Sequence, residues 1–208
     1  MKSTNCLFFG DSITFGEYDG TFGGWVDILK RYCYDKFYDG NANEVNVFNL
    51  GIGGETTKGL LDRIEVEIKA RTSKEENLIF LFYGANDLAV KNDEITVSPK
   101  QFNSNLDTAI KIAQKTSDKV FLISILPISN AIEGKLSPAG KIRTNEKVRL
   151  YNAEIKEVAK SNCVMLINLY SEFEMQKEEL LSRDGVHPNA LGYKWISEKL
   201  KVYIEEYL

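Results

Sequence analysis

A single histidine, His187, stands in the run Asp184-Gly185-Val186-His187-Pro188, with a carboxylate three positions ahead of it and a proline directly behind. An unperturbed imidazole titrates near pH ~6.5, so any neutral-pH proton transfer through a histidine must use this one. Near the other end of the chain, Gly10-Asp11-Ser12-Ile13-Thr14 follows the short apolar stretch Cys6-Leu7-Phe8-Phe9 and puts a serine where a strand should end. A serine hydroxyl is a poor nucleophile until a base takes its proton. Serine, histidine and aspartate are together the parts of an acyl-transfer site.

Residues so far apart in sequence need a scaffold to meet, and the hydrophobic pattern supplies one. Five short apolar runs, over 6–9, 45–50, 78–83, 120–126 and 164–169, read as strands buried on both faces and hence parallel. Between and after them, apolar residues recur at helical spacing: Trp25, Ile28, Leu29, Tyr32; Leu60, Leu61, Ile64, Ile68; Phe102, Leu106, Ala109, Ala113; Val148, Tyr151, Ile155, Val158; and Leu191, Ile196, Leu200, Ile204. Alternation of this kind predicts an α/β fold. The expected architecture is a three-layer α/β/α sandwich around a central, mainly parallel five-stranded sheet, in one domain over 1–208. Ligands of such sheets bind outside the carboxyl ends of the strands, so the loops that follow the strands are where chemistry belongs. Two of those connections, 88–98 and 127–144, are long enough to serve as lids or pocket walls, or as plain surface loops.

Composition narrows the field only by exclusion. The chain has 208 residues, 43% of them hydrophobic and 27% charged, which disfavours disorder and membrane classes. Its 26 basic and 30 acidic side chains are scattered, with no basic stripe to follow a phosphate backbone, so nucleic acid is not an expected partner. The apolar run after Met1-Lys2-Ser3-Thr4-Asn5 is too short for a secretory signal or a membrane span, which predicts a cytoplasmic protein. Cys6, Cys33 and Cys163 lie at no zinc-type spacing and read as small buried apolar residues. No metal or cofactor is implied: one histidine leaves carboxylates alone, at no calcium-loop spacing.

Four strand ends carry polar or glycine-rich signatures: Gly10-Asp11-Ser12, the stretch from Asn49 to Glu55, Gly84-Ala85-Asn86-Asp87, and the run from Asp184 to His187. Singly, each has a bland explanation as a turn or a helix cap. Jointly and in this order, they make the chain resemble the SGNH hydrolases, also called GDSL esterases and lipases, over nearly its whole length. Gly10-Asp11-Ser12-Ile13 resembles the first block of that family with isoleucine in place of leucine. Gly53-Gly54-Glu55 resembles the second, Gly84-Ala85-Asn86-Asp87 the third, and Asp184-Gly185-Val186-His187-Pro188 the last.

The resemblance implies a flavodoxin-like sandwich and an esterase that needs no cofactor. Ser12 would be the nucleophile, His187 the general base and then acid, and Asp184 the group that orients the imidazole. The oxyanion hole would use the backbone N–H of Ser12, the backbone N–H of Gly54 and the side-chain amide of Asn86. The family commonly has serine where this chain has Gly53, so Gly53 or Gly54 supplies the second donor. Asp11 and Asp87 are expected to hold their loops as hydrogen-bond acceptors, with Asp87 the alternative triad acid. Pro188 would suit the first turn of the last helix. Trp25 and Trp195 are expected in the core or on a helix surface, and Tyr18 and Phe22 in the core or along an acyl pocket.

The expected partner is a small-molecule ester. The same site would serve an O-acetylated sugar, a thioester or a lysolipid. From other classes, a nucleotide binder is disfavoured because Gly51-Ile52-Gly53-Gly54-Glu55-Thr56 lacks the third glycine of a dinucleotide fingerprint. A non-catalytic acyl or sugar binder would have no reason to keep Ser12, Asn86, Asp184 and His187 together.

Overall fold

The computed structural model describes residues 3–40, 42–72, 76–117 and 119–208. Five parallel strands form the central sheet: β1 (Ser3–Gly10), β2 (Glu44–Gly51), β3 (Glu76–Phe82), β6 (Lys119–Ile123) and β7 (Met165–Ile167), in the spatial order β2-β1-β3-β6-β7. A small antiparallel hairpin, β4 (Val90–Lys91) and β5 (Glu94–Ile95), stands apart from it. The helices are α1 (Ser12–Phe15), α2 (Trp25–Tyr38), α3 (Thr57–Arg71), α4 (Pro99–Ala113), α5 (Asn145–Ser161), α6 (Tyr170–Glu174), α7 (Lys177–Leu180) and α8 (Ala190–Lys201). This is the expected three-layer sandwich. Among the described residues, no helix is long and apolar enough to cross a membrane.

Period-two alternation along the strands divides the apolar residues into two cores. Cys6, Phe8, Phe80 and Phe121 face α2 and α8. Leu7, Phe9, Ile79, Leu81 and Leu122 face α3, α4 and α5. On the first face, register places Phe8 opposite Phe80 and Phe80 opposite Phe121. Their rings stack at centroid distances of 4.5 and 4.4 Å, and Trp25 of α2 closes edge-on over Phe8 at 5.0 Å. Stacked and edge-to-face aromatic pairs add to the burial they already provide.

Helix starts follow local chemistry. Ser98 accepts from Gln101 N–H with Pro99 at the first helical position of α4, and Thr144 accepts from Lys147 N–H at the start of α5. At α8 the cap is Asn189, whose side chain accepts from Gly192 N–H. Pro188 therefore lies one residue before the cap rather than in the first turn, and its backbone bridges to Leu181 instead.

Several other expectations are corrected. The outer strands are not buried on both faces: β2 alternates, and Met165 of β7 is exposed. Such edges have a neighbour on one side only. The fourth strand stops at Ile123, because the side chain of Asn152 takes both the N–H and the C=O of Ile125, at 2.8 and 3.0 Å. Cys163 is exposed, with φ +54° just past the end of α5, while Cys6 and Cys33 are buried. Leu191 keeps the helical spacing of α8 but points outward.

Phe8 touches both aromatic partners at the centre of the first core. Phe8→Ala is expected to cost about 3–5 kcal/mol of stability, read from urea denaturation. A loss below about 1 kcal/mol would show that the aromatic column is not a major support of the fold.

Candidate active site

Ser12 opens α1 directly after β1. The turn is set by Asp11, whose Oδ1 accepts from Ile13 N–H at 2.9 Å and caps the short helix. From this position Ser12 Oγ lies 2.8 Å from Nε2 of His187. The imidazole comes from a tight turn between α7 and α8 whose backbone is organised by one carboxylate. Asp184 Oδ1 accepts from the Ser182 hydroxyl at 2.7 Å, from Val186 N–H at 2.9 Å and from His187 N–H at 3.0 Å. Its other oxygen, Oδ2, stands 2.5 Å from His187 Nδ1.

Burial on its own would raise the Asp184 carboxyl. The bonds from the His187 ring, the two N–H groups and the Ser182 hydroxyl outweigh it and hold the group well below the usual carboxylate range. The turn also needs Gly185. Its φ is +70°, and a Cβ there would fall 2.8 Å from the Ile132 side chain. Tyr18, itself at φ +69°, meets the imidazole edge-on with ring centroids 5.0 Å apart. It is exposed and lines the cleft, whereas Phe22 is not part of the lining.

The second and third glycine-rich blocks approach from β2 and β3. Gly51 ends β2 against the backbone of α1, where a Cβ would lie 2.1 Å from the Phe15 nitrogen, so only glycine lets the two loops pass this closely. Gly54 follows on the rim of the cleft, and among the described residues its N–H donates to no protein acceptor. Glu55 anchors the block from behind. Its carboxylate takes Nε and Nη2 of Arg63, the latter at 2.6 Å, and the Tyr83 hydroxyl at 2.6 Å. Arg63 in turn donates to the Leu50 carbonyl at 2.6 Å and to the Tyr83 oxygen at 2.9 Å.

Asn86 lies at the centre of the third block. Its Nδ2 donates to Asp11 Oδ2 at 3.3 Å and to the Glu55 carbonyl at 3.2 Å, both long bonds. Its Oδ1 accepts from Lys141 Nζ at 2.9 Å and from Arg143 Nη2 at 3.3 Å. Asp87 points elsewhere: its Oδ1 takes the Thr57 N–H at 2.9 Å and the Thr57 hydroxyl at 2.5 Å, tying the third block to the start of α3. It is not in contact with His187. Burial is the main cause that pushes Asp87 up to about 6, and its Oδ2 has no partner among the described residues. Burial likewise raises Asp11 to about 6.

A cleft of about 660 Å³ opens over Ser12, Gly54, Asn86 and His187. Its far wall is the 127–144 connection, which contributes Ile132, Leu136, Lys141 and Arg143 among others. The 88–98 connection supports that wall from outside, through paired N–H···O=C bonds of 2.9 Å between Val90 and Ile142. Several contributors went unread in the sequence: Lys141, Arg143, the anchoring group of Glu55, Arg63 and Tyr83, and the hairpin. Only the hairpin left a signal, the two-residue turn Asn92-Asp93 flanked by strand residues, both at positive φ.

Two outcomes are expected. Arg63→Met should destabilise the protein by about 3 kcal/mol, by leaving the Glu55 carboxylate without its cation, and urea denaturation measures the loss. Asp87 sits at about 6 in the folded chain, against about 3.9 when unfolded. The folded state therefore holds that proton more tightly. The resulting stabilisation is full below about pH 4 and is lost as pH rises through about 6. Asp87→Asn should accordingly flatten the fall in urea midpoint over this interval, and an unchanged slope would refute it.

Comparison with known proteins gives one consistent result. The profile of the GDSL-like Lipase/Acylhydrolase family matches residues 8–195. A spore germination lipase of Bacillus licheniformis is 25% identical, covering 92% of each chain. A GDSL esterase/lipase of Arabidopsis thaliana is also 25% identical, over 97% of this chain and 86% of its own length. Among solved structures, a lipase/acylhydrolase from Enterococcus faecalis superposes with a TM-score of 0.76 at 26% identity, over 99% of this chain and 96% of the other. The chain belongs to the GDSL-like lipase/acylhydrolase family and is a carboxylic ester hydrolase.

Proposed function

We propose that the protein cleaves small carboxylic esters through an acyl-enzyme on Ser12, with His187 as general base and acid and Asp184 as the group that holds the imidazole. The observation that carries this reading is the continuous hydrogen-bond chain from Ser12 Oγ through His187 to Asp184 at the floor of an open cleft. His187 Nε2 takes the hydroxyl proton as Ser12 Oγ attacks the ester carbonyl. The imidazolium that forms is stabilised by the ionised Asp184 carboxylate through Nδ1–H. His187 then returns the proton to the leaving alkoxide, which departs as the alcohol. Water deacylates the serine by the same proton path in reverse roles.

The negative charge on the carbonyl oxygen falls to the Ser12 N–H, the Gly54 N–H and the Asn86 amide. Ser12 is the first residue of a helix, where backbone N–H groups have no intrahelical acceptor. Gly54, whose N–H has no protein acceptor among the described residues, lies at the cleft edge. Asn86 must give up one of its two long bonds to serve, and bonds of 3.2 and 3.3 Å are readily exchanged for a shorter bond to an oxyanion. That difference favours the transition state over the resting site.

A p-nitrophenyl ester series from acetate to octanoate tests the reading without added metal. Ser12→Ala and His187→Ala should each lower turnover by about 10⁴ or more, and Asp184→Asn by about 10⁴. Asn86→Ala should lose about 10²–10³, mainly in kcat, as expected of an oxyanion donor. A Ser12→Ala protein that keeps its rate would remove Ser12 from the reaction.

A further inference from the structure

Two cations converge on one neutral oxygen at the reaction centre. Lys141 Nζ and Arg143 Nη2 both donate to Asn86 Oδ1, and Arg143 Nε donates to the Ala85 carbonyl at 2.8 Å. Neither pairs with a carboxylate at salt-bridge distance among the described residues. Both are partly buried in the cleft wall. Holding like charges together, partly out of water and with only amide and carbonyl acceptors, is unfavourable unless an opposite charge joins them. Asp11 acts on both cations electrostatically but bonds to neither, its hydrogen-bond link to them running through the intervening Asn86 amide.

In the rest of the lining only Asp184 acts on Arg143 electrostatically, and it forms no ion pair with it. Lys135 and Arg183 add two further cations to the same cleft, against Glu17 and Asp184. Asp184 is already committed to His187, Ser182 and its own turn. Lys141 uses one of its three N–H donors on Asn86, and the guanidinium of Arg143 likewise has donors to spare. The cleft thus presents unspent cationic donors beside the carbonyl-binding position, with apolar Ile132 and Leu136 further along the same wall.

We infer that the cleft selects esters carrying a second, anionic group, a carboxylate being the simplest, which Lys141 and Arg143 bind. The inference rests on the reading of Ser12 as nucleophile. The anion would stand on either the acyl or the alcohol part of the ester, and the two are separated by experiment. Polarisation of Asn86 alone would aid neutral and anionic esters equally, so the ratio between them is the informative quantity.

The test compares kcat/KM for two pairs of similar size: 4-nitrophenyl hydrogen adipate against 4-nitrophenyl heptanoate for the acyl side, and 4-acetoxybenzoate against its methyl ester for the alcohol side. At low ionic strength the wild type should favour the anionic member of one pair by about tenfold or more, and added salt should shrink the ratio. Lys141→Met should bring the ratio toward one, and Lys141→Glu should invert it, whatever either does to the overall rate. Equal or poorer use of both anionic esters by a wild type whose activity Ser12→Ala abolishes would overturn the inference and leave the reading of Ser12 as nucleophile intact. If Ser12→Ala keeps its rate, the reading of Ser12 as nucleophile fails instead. Calorimetry of two anilides that mimic the two esters, adipic acid monoanilide and 4-acetamidobenzoate, with the wild type and with Lys141→Glu, then decides the anion site by itself: binding of either that Lys141→Glu abolishes sustains it, and binding of neither, or binding unaffected by the change, overturns it.

Discussion

Three parallel strands ending in register set the geometry on which the cleft depends. Gly10 of β1 lies opposite Gly51 of β2 and Phe82 of β3, so the loops that leave these strands start from one line. The direction of strand order reverses at β1, and the crevice this leaves beside the carboxyl ends is where open α/β sheets bind ligands. Ser12, Gly54 and Asn86 are each only a few residues past that line. The distance from Asn86 Nδ2 to Asp11 Oδ2 follows from it, as does the passage of Gly51 against Phe15. The aromatic column of Phe8, Phe80 and Phe121 lies on β1, β3 and β6, so the packing that fixes the strands also fixes the loops.

His187 arrives by a different route. Its turn lies beyond α7, outside the sheet, and has to be made rigid by its own bonds. Asp184 does this with one oxygen on three donors of the turn and the other on the ring. Ser129 N–H also reaches the Gly185 carbonyl at 2.9 Å, so the cleft wall and the histidine turn hold each other in place. One carboxylate thereby serves two ends, local folding and ring orientation, and its low affinity for protons follows from the histidine first and from the folding bonds beside it.

Strands, main helices and the four polar strand ends were legible because each leaves a local signal: period two or 3.6 in apolar residues, and glycine or aspartate where the chain turns. Edge exposure was not legible for β2 and β7, since an edge is a property of strand order, which hydrophobicity does not encode. The early end of β6 was hidden for a related reason. Asn152 captures the backbone of Ile125 from another part of the chain, and nothing near Ile125 announces it. Lys141 and Arg143 read as two ordinary charges in a long connection. Their meaning depends on Asn86, more than fifty positions away. The Glu55, Arg63 and Tyr83 group was invisible on the same ground, because three residues from separate elements become one network only after the sheet has closed.

The 127–144 connection begins and ends at a common point. Asn145 accepts from Ile128 N–H at 2.9 Å and donates to the Ile128 carbonyl at 3.0 Å, so the two ends are clasped by one side chain. Everything between is a loop whose span is fixed by that clasp. Most of its tip, including Lys135, Leu136, Pro138 and Ala139, faces solvent or the cleft rather than either core. Substitutions, and even insertions, at that tip cost little folding energy while changing what the cleft admits. The tip of this wall, unlike its base at Ser129, can therefore change without disturbing the His187 turn or the sheet, so the clasp at Asn145 separates what shapes the cleft from what holds the fold.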